Sequence, residues 1–171
     1  MDYSHFISNY PDFPKPGVLF REISPLLFDV AARNKIMEAF WKYMEDKNIT
    51  AIAGVDARGF ILGGMLAEKY QLPFVMIRKD GKLPDTIVAK ESFHYEYSSA
   101  TLAIRKDILQ GHRVLVVDDV LATGGTLLAS LKLAKNNGAS EVFGGVLIEI
   151  IPLKGGEKLA QYDIFSAIQF D

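Results

Sequence analysis

The stretch Val114-Leu115-Val116-Val117-Asp118-Asp119-Val120-Leu121-Ala122-Thr123-Gly124-Gly125-Thr126 decides how this chain is read. Its apolar lead, mostly β-branched, predicts a buried strand over 114–117. Two adjacent acids follow, then a loop of small residues and hydroxyls, then an apolar-periodic helix over 126–136. Carboxylates at the C-terminal end of a strand face the crevice where open α/β sheets bind ligands. A small-residue loop that opens a helix offers free N–H groups and the positive end of a dipole to a phosphate. The pattern describes a sugar-phosphate site. Asp118 and Asp119 would accept from sugar hydroxyls, and Ala122, Thr123, Gly124, Gly125 and Thr126 would hold the phosphate. The plainer alternative is a strand-end turn with an acidic N-cap, but paired acids and so long a small-residue loop exceed what a cap needs. The loop has no lysine, so it is not a nucleoside-triphosphate P-loop.

Working outward, strands and helices alternate. Pro11, Pro14, Pro16, Gly17 and Pro25 predict an irregular first thirty residues, a small hood in which Phe13, Val18, Leu19, Phe20, Ile23 and Leu26 must pack. A helix is predicted over 31–47, with Ile36, Ala39, Phe40, Tyr43 and Met44 on one face. Strands follow over 51–55 and 74–77, with a Gly- and Leu-rich helix over 58–70 between them. Residues 79–94 are polar and read as a long loop, and 95–104 as extended. After the helix over 126–136 comes a stop at Asn137-Gly138, then strands over 142–150 and 163–168. The fold class is α/β, a central parallel sheet flanked by helices. The chain reads as a single domain over 1–171, with a hood over about 1–30, a core over about 31–150 and a C-terminal segment over 151–171.

Composition narrows the function classes. The chain has 171 residues, 49% of them hydrophobic, and a net charge of −2. That balance argues against a nucleic-acid binder, which needs a basic face. No apolar run approaches the roughly 18 residues of a membrane span. No signal peptide is visible, which points to the cytoplasm. There is no cysteine, and His5, His94 and His112 are far apart, so no protein metal site is expected.

The same residues carry a resemblance. Val116 to Thr126 is similar to the phosphoribosyl-diphosphate motif of the type I phosphoribosyltransferases. Within that family the chain resembles the members that act on adenine. The likeness runs from Phe13-Pro14-Lys15-Pro16-Gly17 to Leu153-Lys154-Gly155-Gly156-Glu157-Lys158-Leu159. It includes Phe20-Arg21-Glu22-Ile23-Ser24-Pro25, Gly54-Val55-Asp56-Ala57-Arg58-Gly59-Phe60 and Ile77-Arg78-Lys79-Asp80-Gly81-Lys82-Leu83-Pro84. The resemblance implies the type I phosphoribosyltransferase fold, with an N-terminal hood and a mobile loop. It implies purine salvage: transfer of a phosphoribosyl group from phosphoribosyl diphosphate to adenine, giving AMP and diphosphate. It further implies magnesium, bound mainly through the substrate diphosphate, and a homodimer. Two alternatives stay open: a 6-oxopurine (xanthine or guanine) phosphoribosyltransferase, and a non-catalytic regulator that keeps this fold.

The remaining candidate residues are weighed against plainer readings. Ala57 and Arg58 in Asp56-Ala57-Arg58-Gly59 form a turn of exposed amides with one arginine, a cradle for diphosphate. The plainer reading is a helix start capped by Asp56. Arg78, Lys79 and Lys82 alone would be a solvated charge run. The resemblance makes them part of the mobile loop over the diphosphate, with Arg78 reaching the partner subunit's site. Asp80 stands where some relatives are basic. Glu96, beside Tyr97, would be an ordinary surface glutamate, but the resemblance makes it the group that handles the purine proton. Ser98 and Gly156 depart from the family pattern. Phe20 is the aromatic face for the base, with Leu19, Arg21 and Ile150 beside it by resemblance. Adenine's amino group needs acceptors, and backbone carbonyls near Leu19 and Arg21 would leave no mark in the sequence. Arg58 and Glu96 are the expected catalytic pair.

Overall fold

The computed structural model describes residues 3–94 and 99–171. Strands β1 (Ser8–Tyr10) and β2 (Phe20–Glu22) come first, then helices α1 (Ser24–Phe28) and α2 (Val30–Asp46). Next are β3 (Ala51–Val55), α3 (Arg58–Tyr70), β4 (Phe74–Lys79), β5 (Val88–His94) and β6 (Ser99–Arg105). The chain continues through β7 (Arg113–Leu121), α4 (Gly125–Asn136), β8 (Glu141–Ile150), α5 (Gly155–Lys158) and β9 (Ile164–Phe170).

The main sheet has seven strands in the order β5-β6-β4-β3-β7-β8-β9. The expected central parallel sheet is present, and antiparallel strands at one edge make the whole sheet mixed. The β4-β3-β7-β8-β9 run is parallel, while β6 pairs antiparallel with both β4 and β5. β6 therefore gives the stretch before it a partner, so half of the expected 79–94 loop is strand β5. Its charges, Lys90 and Glu91, hid it, because on an edge strand polar residues are tolerated on more than one face. The first thirty residues are less irregular than expected: β1 and β2 form a two-stranded antiparallel sheet.

β7 is apolar over 114–117 because both of its faces are buried. Leu115 and Val117 join a cluster with Ile36 and Phe40 of α2 and Leu62 and Leu66 of α3. Val114 and Val116 join a second cluster, with Leu131 and Leu133 of α4. On α2, Ala39 is exposed, and Met37 takes the buried place expected for it. Ile23 and Leu26 of the hood are buried, but Phe13 and Leu19 remain largely exposed.

Candidate active site

β7 runs past the acids to Leu121, so Asp118 and Asp119 lie inside the strand rather than just after it. Two neighbours of unequal length explain the difference. Pairing with β3 ends at Gly54↔Val117, while β8 accompanies β7 to Leu121↔Glu149. The acids thus stand beyond the end of β3 yet are held in register by β8. They open the crevice at the carboxyl ends of the parallel strands.

The start of α3 closes on them. A Cβ on Gly59 would come within 2.5 Å of the Val117 carbonyl oxygen and 3.3 Å of the Asp118 Cα. Only glycine lets the first helical turn lie this close to the strand. Its neighbour Arg58 then reaches across: Arg58 Nε donates to Asp119 Oδ2 at 2.5 Å. The Asp56–Ala57 peptide before it is cis, and the Asp56 N–H donates to the Ile77 carbonyl at 2.9 Å.

Asp118 and Asp119 are both buried. Burial, and then the adjacent Asp119 charge, push the Asp118 carboxyl well above the ordinary carboxylate range. Arg58 pulls in the opposite direction more weakly. The Asp119 N–H donates to Asp118 Oδ1 at 2.9 Å, which fixes the rotamer of Asp118.

The loop after β7 meets the site from the other side. Gly124 adopts φ +78° and precedes α4, whose start has no side-chain cap. The start of α3 has none either. Two helix N-termini without side-chain caps therefore flank the carboxylate pair, an arrangement that suits an anion with charge at both ends. Thr123 is exposed at the loop crest, and Ser130 Oγ donates to the Thr126 carbonyl at 2.8 Å. The loop rests on α5, where Gly155 is buried so closely that a Cβ would strike the Ala122 carbonyl.

The basic candidates are divided. Arg78 and Lys79 belong to β4 rather than to a loop. Arg78 Nε stands 3.8 Å from Asp56 Oδ2, and Arg78 donates to the Lys82 carbonyl at 3.2 Å. Lys79 and Lys82 are exposed side chains. Asp80 has its own partner: Lys90 Nζ lies 2.7 Å from both Asp80 and Asp85, tying the turn to β5. Glu96, with Tyr97 and Ser98, lies outside the described residues.

In the hood, Phe20 turns toward the cleft. Its ring packs edge-on against Phe13 at 5.2 Å, and the Arg58 guanidinium lies 6.0 Å from its centroid. An open groove of about 430 Å³ borders Phe20, Phe13 and Tyr10. Leu19 is 46% exposed, and Ile150 is half-buried at the end of β8. The Arg21 side chain faces away from Phe20, over the ring of Phe170.

Comparison with known proteins matches this geometry to a family. Residues 29–165 match the phosphoribosyl transferase domain. An adenine phosphoribosyltransferase of Nitrosopumilus maritimus is 44% identical over 96% of this chain and 96% of its own length. The chain belongs to the adenine phosphoribosyltransferase family. The fold agrees: the crystal structure of an adenine phosphoribosyltransferase from Thermoanaerobacter pseudethanolicus superposes with a TM-score of 0.91 at 42% identity, covering 97% of this chain and 96% of that one. The family member from Giardia lamblia, solved with 9-deazaadenine, gives 0.91 at 39% identity, covering 98% of this chain and 95% of that one.

Three features of the site lay beyond the sequence reading. Asp56, read only as a possible cap, faces Arg78 across the ends of β3 and β4. Gly155 supports the loop through backbone contact, for which a bare glycine gives no signal. Phe170 meets Arg21 from the far end of the chain, and nothing local marks that pairing.

Proposed function

We propose that this protein transfers the 5-phosphoribosyl group of phosphoribosyl diphosphate to adenine, giving AMP and diphosphate in purine salvage. The observation that carries the reading is the buried Asp118–Asp119 pair, held by Arg58 and flanked by two uncapped helix starts. The Giardia lamblia relative is solved with an adenine analogue, which supports adenine as the acceptor. Asp118 and Asp119 accept from the ribose hydroxyls. The 5′-phosphate sits on the N–H groups of Ala122 to Thr126. Ala57, Arg58, Arg78, Lys79 and Lys82 meet the diphosphate. Phe20 and Ile150 flank the base, and the backbone carbonyls of Leu19 and Arg21 accept from its amino group.

In the reaction the bond from C1′ to the diphosphate oxygen breaks, with its electrons leaving on diphosphate. The purine N9 lone pair forms the new bond, and the N9 proton departs. Asp118 and Asp119 place negative potential beside a ribose that becomes cationic. Arg58 faces the developing charge on the leaving group. Glu96 takes the purine proton. Positioning and preorganised charge supply the catalysis, without a covalent enzyme intermediate.

Magnesium fits this donor set as a companion of the substrate. Among the described residues no group of three or more His, Asp or Glu could hold a metal. Magnesium is commonly held by one or two carboxylates with substrate phosphates and waters. Asp118 and Asp119 would be the carboxylates available to such an ion, which when bound would neutralise diphosphate charge. The working unit is a cytoplasmic homodimer.

The decisive assay incubates the protein with magnesium, phosphoribosyl diphosphate and one base at a time, and measures diphosphate. Release with adenine alone is expected. Release with xanthine or guanine but not adenine would move the assignment to the 6-oxopurines. No release with any base would overturn the enzymatic reading.

A further inference from the structure

β2 is only three residues long, and its two faces do different things. Alternation along a strand sends Phe20 and Glu22 to one side and Arg21 to the other. Phe20 faces Arg58 and the cleft, and the Arg58 charge also lowers the Glu22 carboxyl, behind the larger effect of the Ser24 N–H and hydroxyl. Arg21 points down onto the main sheet. Its guanidinium carbon sits 3.7 Å from the centroid of Phe170, the last residue of β9. Its Nη1 donates to Asn9 Oδ1 at 3.0 Å, and Asn9 is its cross-strand partner in the hood sheet. Burial lowers the pKa of Arg21, and its Nε is buried with no hydrogen-bond partner among the described residues. A guanidinium is poorly placed there unless something else holds it, and the aromatic face does so.

The strand that carries this ring lies beside the proposed base site. Phe170 pairs in parallel register with Ile150, the β8 residue assigned to the base. The residue whose ring meets the hood through Arg21 is thus the strand neighbour of Ile150. We infer that Phe170 and Asn9, acting through Arg21, are positioning residues that set the height of the hood over the adenine site. This rests on the proposed adenine reading. The brace works on one face of β2, so the other face and the β2 backbone present a fixed edge to the base. Phosphoribosyl diphosphate is held by β7, α3 and the loop before α4, which the brace does not touch.

The inference separates the two substrates. Phe170→Leu keeps apolar bulk but removes the ring face. It is expected to raise KM for adenine about tenfold, with KM for phosphoribosyl diphosphate and kcat within about twofold. Phe170→Tyr should restore the wild-type value. Asn9→Ala should move the adenine KM the same way by a smaller factor, and serves alone if Phe170→Leu does not fold. An unchanged adenine KM in Asn9→Ala and Phe170→Leu overturns the brace. Equal rises for both substrates, or failure of Phe170→Tyr to rescue, also overturn it, since they indicate general loosening. A wild-type protein inactive with adenine would instead overturn the adenine reading itself.

Discussion

Asp118 shows how a functional residue works against the fold that carries it. Its carboxyl is held well above the ordinary range by burial first and the Asp119 charge second. The sign for stability follows from linkage. A carboxyl raised in the folded state contributes stability that is fully present below its unfolded pKa. That contribution is lost as pH rises through the folded value. Above the ordinary carboxylate range, ionising Asp118 therefore opposes folding. Asp118→Asn removes the charge while keeping an oxygen for the Asp119 N–H. The variant should melt higher than wild type by roughly 2–4 °C per kcal/mol relieved. The gain should be larger near about pH 8 than near about pH 5. Its kcat/KM should fall roughly 10- to 100-fold, because a charge-assisted bond to the ribose is lost. Thermal melts at two pH values and steady-state kinetics check both halves. Equal melting gains at both pH values would remove the ionisation argument.

At the scale of elements, the phosphate loop depends on α5, a helix of one turn. Gly155 lies against the Ala122 carbonyl, and its absent side chain would also meet the Gly124 nitrogen at 3.0 Å. Gly155→Ala must push the loop off α5 and turn its N–H groups away from their common focus. KM for phosphoribosyl diphosphate should rise about tenfold or more, a loss of at least one charge-assisted bond. KM for adenine should change little. Equal changes in both would show that the loop is not the phosphate cradle. This contact also marks the limit of what sequence reveals. β3 and α3 were legible to the residue, because apolar runs and helical periodicity are local signals. The paired acids and the small-residue loop were legible because their chemistry is contiguous in the chain. β5 was not, since its pairing with β6 is tertiary and its face is charged. The extent of β7 past the acids was set by the length of β8, a neighbour the motif does not contain. Gly155 and Phe170 act across the fold and leave no local mark.

At the scale of the whole molecule, the two apolar clusters cover both faces of the sheet, but cover is uneven around α3 and β4. Ile61 of α3 is 48% exposed and Met76 of β4 is 43% exposed. Both elements are well buried elsewhere, through Leu62 and Leu66 on one and Val75 and Ile77 on the other. Exposed apolar side chains on adjacent packed elements suit contact with a second surface better than contact with water. They make this flank, beside the diphosphate residues, a face suited to the proposed homodimer. The site lies at the same end of β3 and β4, where Asp56 and Arg78 meet, so a partner docked here would sit close to the diphosphate residues. Ile61→Glu places a charge on the flank while sparing the core, since the side chain points outward. Wild type should scatter light with the mass of two chains, and Ile61→Glu with the mass of one. Because Arg78 stands beside the flank, the dissociated variant should also bind phosphoribosyl diphosphate more weakly. Adenine affinity, governed by the hood, should stay near wild type. A wild type with the mass of one chain would refute the homodimer, and a variant that stays paired would place the interface elsewhere.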